Sequence, residues 1–159
     1  MRDDIKWCAG MKDGICLAEP DSSLAKSYLN NAKSSLKRAE TDLSEGDMLW
    51  ATVVIYYAEY YALYAFLQRI GIKCGNHFCS MAAAGRLLGA EKVRTINEHK
   101  AKRIDAQYYM KVFEKSRVEE MLRLAKIFVS EYDNMVSNLS AADIQMHRET
   151  LGRLMEGAR

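Results

Sequence analysis

Apolar positions recur at helical spacing along most of this chain, and the first clear run follows a helix start at Pro20-Asp21-Ser22. From Leu24 to Leu43 an apolar residue returns every three or four positions, while charged residues occupy the opposite face. The pattern predicts a first long helix that ends near Gly46, where the regular spacing stops.

The next segment is apolar on nearly every side and predicts a second long helix from Met48 to Ile70. Asp47 is placed to cap its first turn, and Gly71 to end it. A helix of this kind must be covered on more than one face. Two arrangements stay open: a core helix of a monomer, or a subunit interface, to which tyrosine rings with polar tips are well suited. The tyrosines of that interface would be Tyr56, Tyr57, Tyr60, Tyr61 and Tyr64.

Residues 48–67 are also long enough to cross a membrane, with the single charge of Glu59. That carboxylate falls near the middle of the segment, where it costs a few kcal/mol in lipid. The tyrosine hydroxyls would need partners there as well. We therefore expect a buried helix and no membrane partner.

Three further helices are predicted after a turn at residues 71–76. The first runs from Ser80 to Leu88, and the other two open at possible capping boxes. These boxes are Ser116 with Glu119 and Ser140 with Asp143. Since no segment alternates with period two for long enough to predict a strand, the fold class is all-α. We expect an up-and-down bundle of four to five helices, with residues 1–20 as a lead-in segment and residues 21–159 as one domain.

Composition adds few constraints to this picture. The chain has 159 residues, of which 49% are hydrophobic, and a formal net charge of +2, which is too small to require a nucleic acid or a membrane. No apolar stretch follows Met1-Arg2-Asp3-Asp4, so a secretory signal is not indicated. We expect a cytoplasmic protein with reduced thiols. The cysteines are Cys8, Cys16, Cys74 and Cys79.

Cofactor and metal signals are weak in this sequence. Cys74, His77 and Cys79 lie within six residues, but their spacing is not that of a usual zinc site and no second tight pair accompanies them. His77 is interpreted as a structural cap of a helix. Phosphate-binding glycine loops, nucleophile elbows and zinc-binding helices are not found, and no cofactor is expected.

The stretch from Glu91 to Asp105 is the most basic part of the chain. Within it, Arg94 could bind a phosphodiester and His99 could transfer a proton, which is the minimum for RNA cleavage without a metal. Their separation of five residues is not ideal for sharing one helix face. The alternative is a solvated charged loop that does no chemistry.

Several short elements together resemble prokaryotic proteins of the HEPN family (higher eukaryotes and prokaryotes nucleotide-binding). The resemblance covers roughly Leu24 to Leu139. Its elements are the segment from Trp50-Ala51-Thr52 through Tyr56-Tyr57-Ala58 and Tyr60-Tyr61-Ala62, the turn Gly71-Ile72-Lys73, His77, and Arg103-Ile104-Asp105-Ala106-Gln107-Tyr108.

The resemblance implies a bundle of four or five helices that usually forms a symmetric dimer. In many members an arginine and a histidine, separated by four to six residues, lie at the dimer cleft and cut RNA. Other members accompany a minimal nucleotidyltransferase as a toxin-antitoxin pair. Counted from Arg103, the histidine position is held here by Tyr108, and a tyrosine is neutral near pH 7 and a poor proton shuttle.

The leading hypothesis is therefore a module that binds a nucleotide, RNA or a partner protein such as a nucleotidyltransferase, without robust catalysis. Arg103, Tyr108 and Tyr109 would line its dimer cleft. The rival hypothesis is a metal-independent ribonuclease with Arg94 or Arg103 as the phosphate ligand and His99 as the acid or base. A third is a purely structural homodimer.

Overall fold

The computed structural model describes residues 3–157, and this part of the chain is an all-helical bundle with one small two-stranded sheet. The all-α fold class is confirmed, although the described residues form seven α-helices where the sequence predicted four to five. The elements in chain order are α1 (Asp4–Gly10), β1 (Ile15–Leu17), α2 (Ser22–Ser44), α3 (Met48–Ile70), β2 (Ile72–Cys74), α4 (His77–Leu88), a 3-10 turn (Ala90–Val93), α5 (Arg94–Tyr109), α6 (Lys115–Ser137) and α7 (Ala141–Met155).

Helix α3 lies at the centre and has the predicted bounds. Asp47 Oδ1 accepts a hydrogen bond from the backbone N–H of Trp50 at 3.0 Å, and Gly71 ends the helix in the left-handed region at φ 77°. The helix packs against α2, α5 and α6. Because these neighbours cover it on several sides, most of its apolar surface is buried within one chain, while Trp50, Tyr57 and Tyr61 stay partly exposed. Within residues 3–157, no helix is long and apolar enough to cross a membrane.

The two strands were missed by the sequence analysis. They pair antiparallel, with Ile15 opposite Cys74 and Leu17 opposite Ile72. Each strand has three residues, which is too short for a recognisable alternation of apolar and polar positions. The pairing fastens the lead-in segment to the end of α3.

Helix α7 packs on its own chain, against α1, α3 and α4. Its Arg148 donates hydrogen bonds from Nη1 to the backbone carbonyls of Ala18, Ile70 and Gly71, at 2.7, 3.0 and 2.9 Å. A cation at these carbonyls satisfies the C-terminal end of α3, where the helix dipole is negative. The last helix is thus tied to the lead-in segment and to α3 together.

The expectation of reduced thiols throughout was wrong. Cys8 in α1 and Cys79 in α4 form a disulfide, with their Cα atoms 5.6 Å apart and a sequence separation of 71. Cys16 and Cys74 are free. Sequence spacing could not show this pairing, because only the packing of α1 on α4 brings the two cysteines together.

The charged stretch interpreted as a loop is instead helix α5. Its buried positions are Ile96, His99, Arg103 and Ala106, which recur at helical spacing. Two of these four are polar, so a search for apolar periodicity does not detect the helix. This arrangement also decides where the candidate site forms.

One of the two predicted capping boxes is present. Ser140 Oγ accepts from the N–H of Asp143 at 3.1 Å, and the Asp143 carboxylate accepts from the N–H of Ser140 at 2.9 Å. The box at Ser116 and Glu119 was wrong, because α6 begins at Lys115, which places Ser116 inside the first turn rather than at the N-cap. Its N-cap residue is Glu114, and its side chain makes no cap hydrogen bond.

Candidate functional site

Arg103 lies on the buried face of α5 and its guanidinium rests on tyrosine rings. Its Cζ is 4.8 Å from the ring centre of Tyr56 and 5.9 Å from those of Tyr57 and Tyr108. Nη1 donates to Gln107 Oε1 at 3.2 Å, and the buried Nε has no hydrogen-bond partner. The cation is therefore held in place mainly by aromatic faces rather than by a carboxylate.

The same tyrosines hold His77, the first residue of α4. His77 Nδ1 and the Tyr56 hydroxyl share a hydrogen bond of 2.9 Å, and the imidazole stacks on Tyr60 with 3.8 Å between ring centres. The Tyr60 hydroxyl is 3.1 Å from Ser80 Oγ, one turn into α4. Burial raises the pKa of Tyr56 to about 12, so its hydroxyl is protonated at neutral pH.

Lys100, one turn before Arg103 on α5, adds a third basic group. Its Nζ is 5.8 Å from the ring centre of Phe78. Burial and the nearby Arg103 lower the pKa of Lys100, while burial, Arg103 and Lys100 all lower the pKa of His77. The three groups therefore act on one another as like charges.

This basic cluster, made of His77, Lys100 and Arg103, has no acidic counterpart in the described part of the chain. Among residues 3–157, no carboxylate lies within 4.0 Å of the Lys100 ammonium or the Arg103 guanidinium. Partly buried cations without a counter-ion favour the binding of an anion, which would relieve their mutual repulsion. The chemistry of the cluster is that of a phosphate ligand set.

Exposed aromatic side chains border the cluster at the end of α5. Tyr108 is 67% exposed and Tyr109 is 76% exposed. The helix ends at Met110, which has left-handed backbone at φ 57°. Of the three residues predicted to bind nucleotide or RNA, Arg103 and Tyr108 are thus in contact, and Tyr109 follows directly on the surface.

The residues of the ribonuclease hypothesis, Arg94 and His99, are not brought together. Arg94 is exposed at the start of α5 and pairs with Glu91 at 3.3 Å. His99 is 1% exposed, and its Nδ1 lies 2.7 Å from Glu59 Oε1 on α3. The partner of His99 is forty residues away in sequence, which no local pattern indicates. The only available sign was a lone carboxylate, Glu59, in an apolar helix.

The five tyrosines of the predicted dimer interface fall into two groups. Tyr56 and Tyr60 are buried within the chain and belong to the surroundings of His77. Tyr57, Tyr61 and Tyr64 are half-buried. Tyr57 and Tyr61 reach the surface beside α2, at a shallow cavity of about 400 Å³.

The cysteine and histidine segment has other contacts. Cys79 is in the disulfide, and Cys74 Sγ donates to the carbonyl of Asn76 at 3.2 Å. In the stretch from residue 3 to residue 157, no three side chains of the metal-binding types form a possible metal site.

Comparison with known proteins gives one match. A family model described as HEPN domain matches residues 25–135. No curated protein and no solved structure matches the chain. The matched range covers more than half of the sequence and includes α3, α4, α5 and most of α6. The chain therefore belongs to the HEPN domain family.

Proposed function

We propose that this protein is a HEPN module that binds a nucleotide or single-stranded RNA without robust catalysis. The phosphate would lie on the basic cluster of His77, Lys100 and Arg103. The observation that carries the proposal is the absence of a carboxylate within 4.0 Å of Lys100 and Arg103 among the described residues. Family membership supports a module related to nucleotides or RNA.

The cluster suits a phosphate in geometry as well as in charge. An arginine guanidinium offers paired donors that match phosphate oxygens, and a lysine adds a point charge. His77 opens α4, so the positive end of that helix dipole faces the same region. Together these groups supply positive charge from two helices.

The exposed rings of Tyr108 and Tyr109 support a ligand that carries bases. Base stacking on aromatic side chains contributes about 1–3 kcal/mol per base and tolerates any sequence. A ligand with its phosphate at Arg103 would bring its base near Tyr108, since that ring already contacts the guanidinium. This arrangement favours unpaired nucleotides over a duplex, whose bases are already stacked.

A ribonuclease is the second candidate, and the residue that favours it is His77 rather than His99. His77 is half-buried beside Arg103, and its lowered pKa leaves the imidazole neutral and able to accept a proton near pH 7. However, Nδ1 is engaged with the Tyr56 hydroxyl and the ring is stacked on Tyr60. Only Nε2 could serve as the base, which leads us to rank binding first.

We also infer that the protein works as a homodimer through the half-buried rings of Tyr57 and Tyr61. Large aromatic side chains at a surface are typical of interface cores. Light scattering after size exclusion would give the mass, and Tyr57→Glu should shift a dimer toward 18.1 kDa, the mass of one chain. A wild-type protein of that mass would contradict the inference.

Fluorescence anisotropy with a labelled single-stranded RNA would test the binding function. Lys100→Gln should weaken binding and reduce the salt dependence, with the slope of log K against log salt falling by about 0.7 in magnitude. Lys37→Gln is the matched control, because Lys37 is exposed on α2 and the charge change is the same. Equal effects of the two variants would refute the site.

Incubation of the same RNA in EDTA would separate the two candidate functions. Binding without cleavage supports the module. Cleavage that disappears in His77→Gln, while RNA binding is retained, would establish the ribonuclease instead.

A further inference from the structure

A buried acid–base pair joins α3 and α5 next to the basic cluster. Glu59 Oε1 and His99 Nδ1 are 2.7 Å apart, and the two side chains are 0% and 1% exposed. The other carboxylate oxygen, Glu59 Oε2, is buried with no hydrogen-bond partner. A pair of this kind is costly for a fold, because the desolvation of both groups is only partly compensated.

The charged surroundings of the pair do not remove this cost. Burial raises the pKa of Glu59, and His99 and then Lys102 oppose the shift. On the α6 side, Arg117 and Glu120 border the same small cavity as His99. None of these groups supplies a hydrogen bond to Glu59 Oε2. The pair therefore calls for an explanation other than stability.

The register of the two helices gives that explanation. Arg103 follows His99 by four residues on α5, and Tyr56 precedes Glu59 by three residues on α3. Residues at these spacings lie on one helix face, one turn apart. The Glu59–His99 contact and the Arg103–Tyr56 contact at 4.8 Å are thus successive steps along one seam between α3 and α5.

We propose that Glu59 and His99 are positioning residues of the anion site, whose buried contact fixes the rotation of α5 so that Arg103 lies on Tyr56. This inference rests on the proposed binding of a phosphate-bearing ligand. An apolar seam would let α5 rotate or slide with little penalty, whereas a directional hydrogen bond between buried groups permits one register. The position of Arg103 on Tyr56 is therefore fixed by the hydrogen bond that His99 makes one turn earlier on the same helix.

A double variant separates positioning from stability. Glu59→Met with His99→Leu replaces a buried polar pair by apolar side chains, a change that is often neutral or stabilising for the fold. The RNA affinity should nevertheless fall about tenfold, because a misplaced guanidinium loses a charge-assisted contact to phosphate. Glu59→Gln keeps an oxygen that accepts from His99, and should retain affinity within about threefold.

Asp42 provides a matched control. It is also a buried carboxylate with an unpartnered oxygen, but it lies on α2 and pairs with Arg38. Asp42→Asn should leave RNA affinity unchanged, although it alters a buried charge as Glu59→Gln does. A loss of affinity in Asp42→Asn equal to that of the double variant would overturn the proposal.

A second readout does not depend on RNA. The Nε–H resonance of Arg103, assigned by its loss in Arg103→Lys, should be shifted upfield by the Tyr56 ring. The double variant should lose this shift and Glu59→Gln should keep it.

If the wild type binds no RNA, the proposed function fails, and the resonance alone decides the positioning role. A retained shift in the double variant would overturn it, and so would unchanged affinity. If that variant does not fold, Glu59→Ala is measured below its melting temperature with the same outcomes.

Discussion

Reduction of the Cys8–Cys79 disulfide should lower the stability of the protein substantially. The bond closes a loop spanning 71 residues, and both cysteines are fully buried. In the loop-entropy description, a disulfide lowers the conformational entropy of the unfolded chain. For a loop of this length, it raises the free energy of unfolding by about 4 kcal/mol at 25 °C. That is a large part of the total stability of an ordinary domain, which is about 5–15 kcal/mol.

Urea unfolding followed by circular dichroism, with and without dithiothreitol, would measure this contribution. The reduced protein should have a lower free energy of unfolding and a steeper dependence on urea, because its unfolded state is less compact. Cys8→Ala with Cys79→Ala should resemble the reduced wild type. Cys16→Ala is the control, since Cys16 is an exposed free thiol, and it should leave the oxidised protein unchanged.

Alkylation of the unfolded protein makes the test independent of the stability measurement. The oxidised protein should expose two reactive thiols, from Cys16 and Cys74, and the reduced protein four. Four thiols before reduction would refute the disulfide. A stability loss below about 1 kcal/mol, with the bond proven, would refute the loop-entropy reasoning instead.

Three further changes test other parts of the structure. Arg148→Met should lower the free energy of unfolding in urea by about 2–3 kcal/mol, because two carbonyls at the end of α3 and the carbonyl of Ala18 lose this donor. An equal loss from Arg153→Met, at an exposed position, would contradict this role. The pKa of His77 is lowered in the folded protein, so its contribution to stability is complete above the ordinary value of about 6.5 and is lost as the pH falls through the lowered value. As the pH falls, the free energy of unfolding should decrease less in His77→Gln than in the wild type. Identical pH profiles would contradict the lowered pKa of His77. By the same linkage, a bound phosphate raises the pKa of His77, so RNA affinity should increase between pH 7 and pH 5, and a flat affinity profile would separate His77 from the ligand. Arg103→Met should abolish RNA binding, and retained binding would remove Arg103 from the site. The free energy of unfolding should change by less than about 1 kcal/mol, because two effects oppose each other: the variant loses the contacts with tyrosine rings, and it removes a buried Nε that has no hydrogen-bond partner.

The long helices were predictable because each carries its own signals. Helix α3 has a capping aspartate, an apolar body and a glycine that stops it, all within adjacent sequence. Helix α2 combines the Asp21 cap with a regular apolar stripe. Local patterns of this kind determine where such helices begin and end. The disulfide and the short strands depend on contacts between distant segments, and no local pattern encodes them.

The candidate site was predictable only in part, for the same reason. Arg103 and Tyr108 were named through the resemblance to a family, and the structure places them in contact. His77 was interpreted as a helix cap, yet the helix is capped by Asn76 and the imidazole lies among tyrosines and cations. Lys100 was one of many basic residues until α5 was seen to be a helix. Its proximity to Arg103 follows directly from that correction.

The polar stripe on the buried face of α5 explains two things: why the helix was not predicted, and why the candidate site forms there. A helix is recognised in a sequence by a stripe of apolar residues, and α5 has His99 and Arg103 in its stripe. Those side chains are buried by α3 with unusual partners: a carboxylate for His99, and aromatic rings for Arg103. Local sequence rules are expected to fail where a chain accepts a cost in stability for a function. The polar stripe of α5 is such a place, and it carries both the residue that would hold the phosphate and the residue that fixes its position.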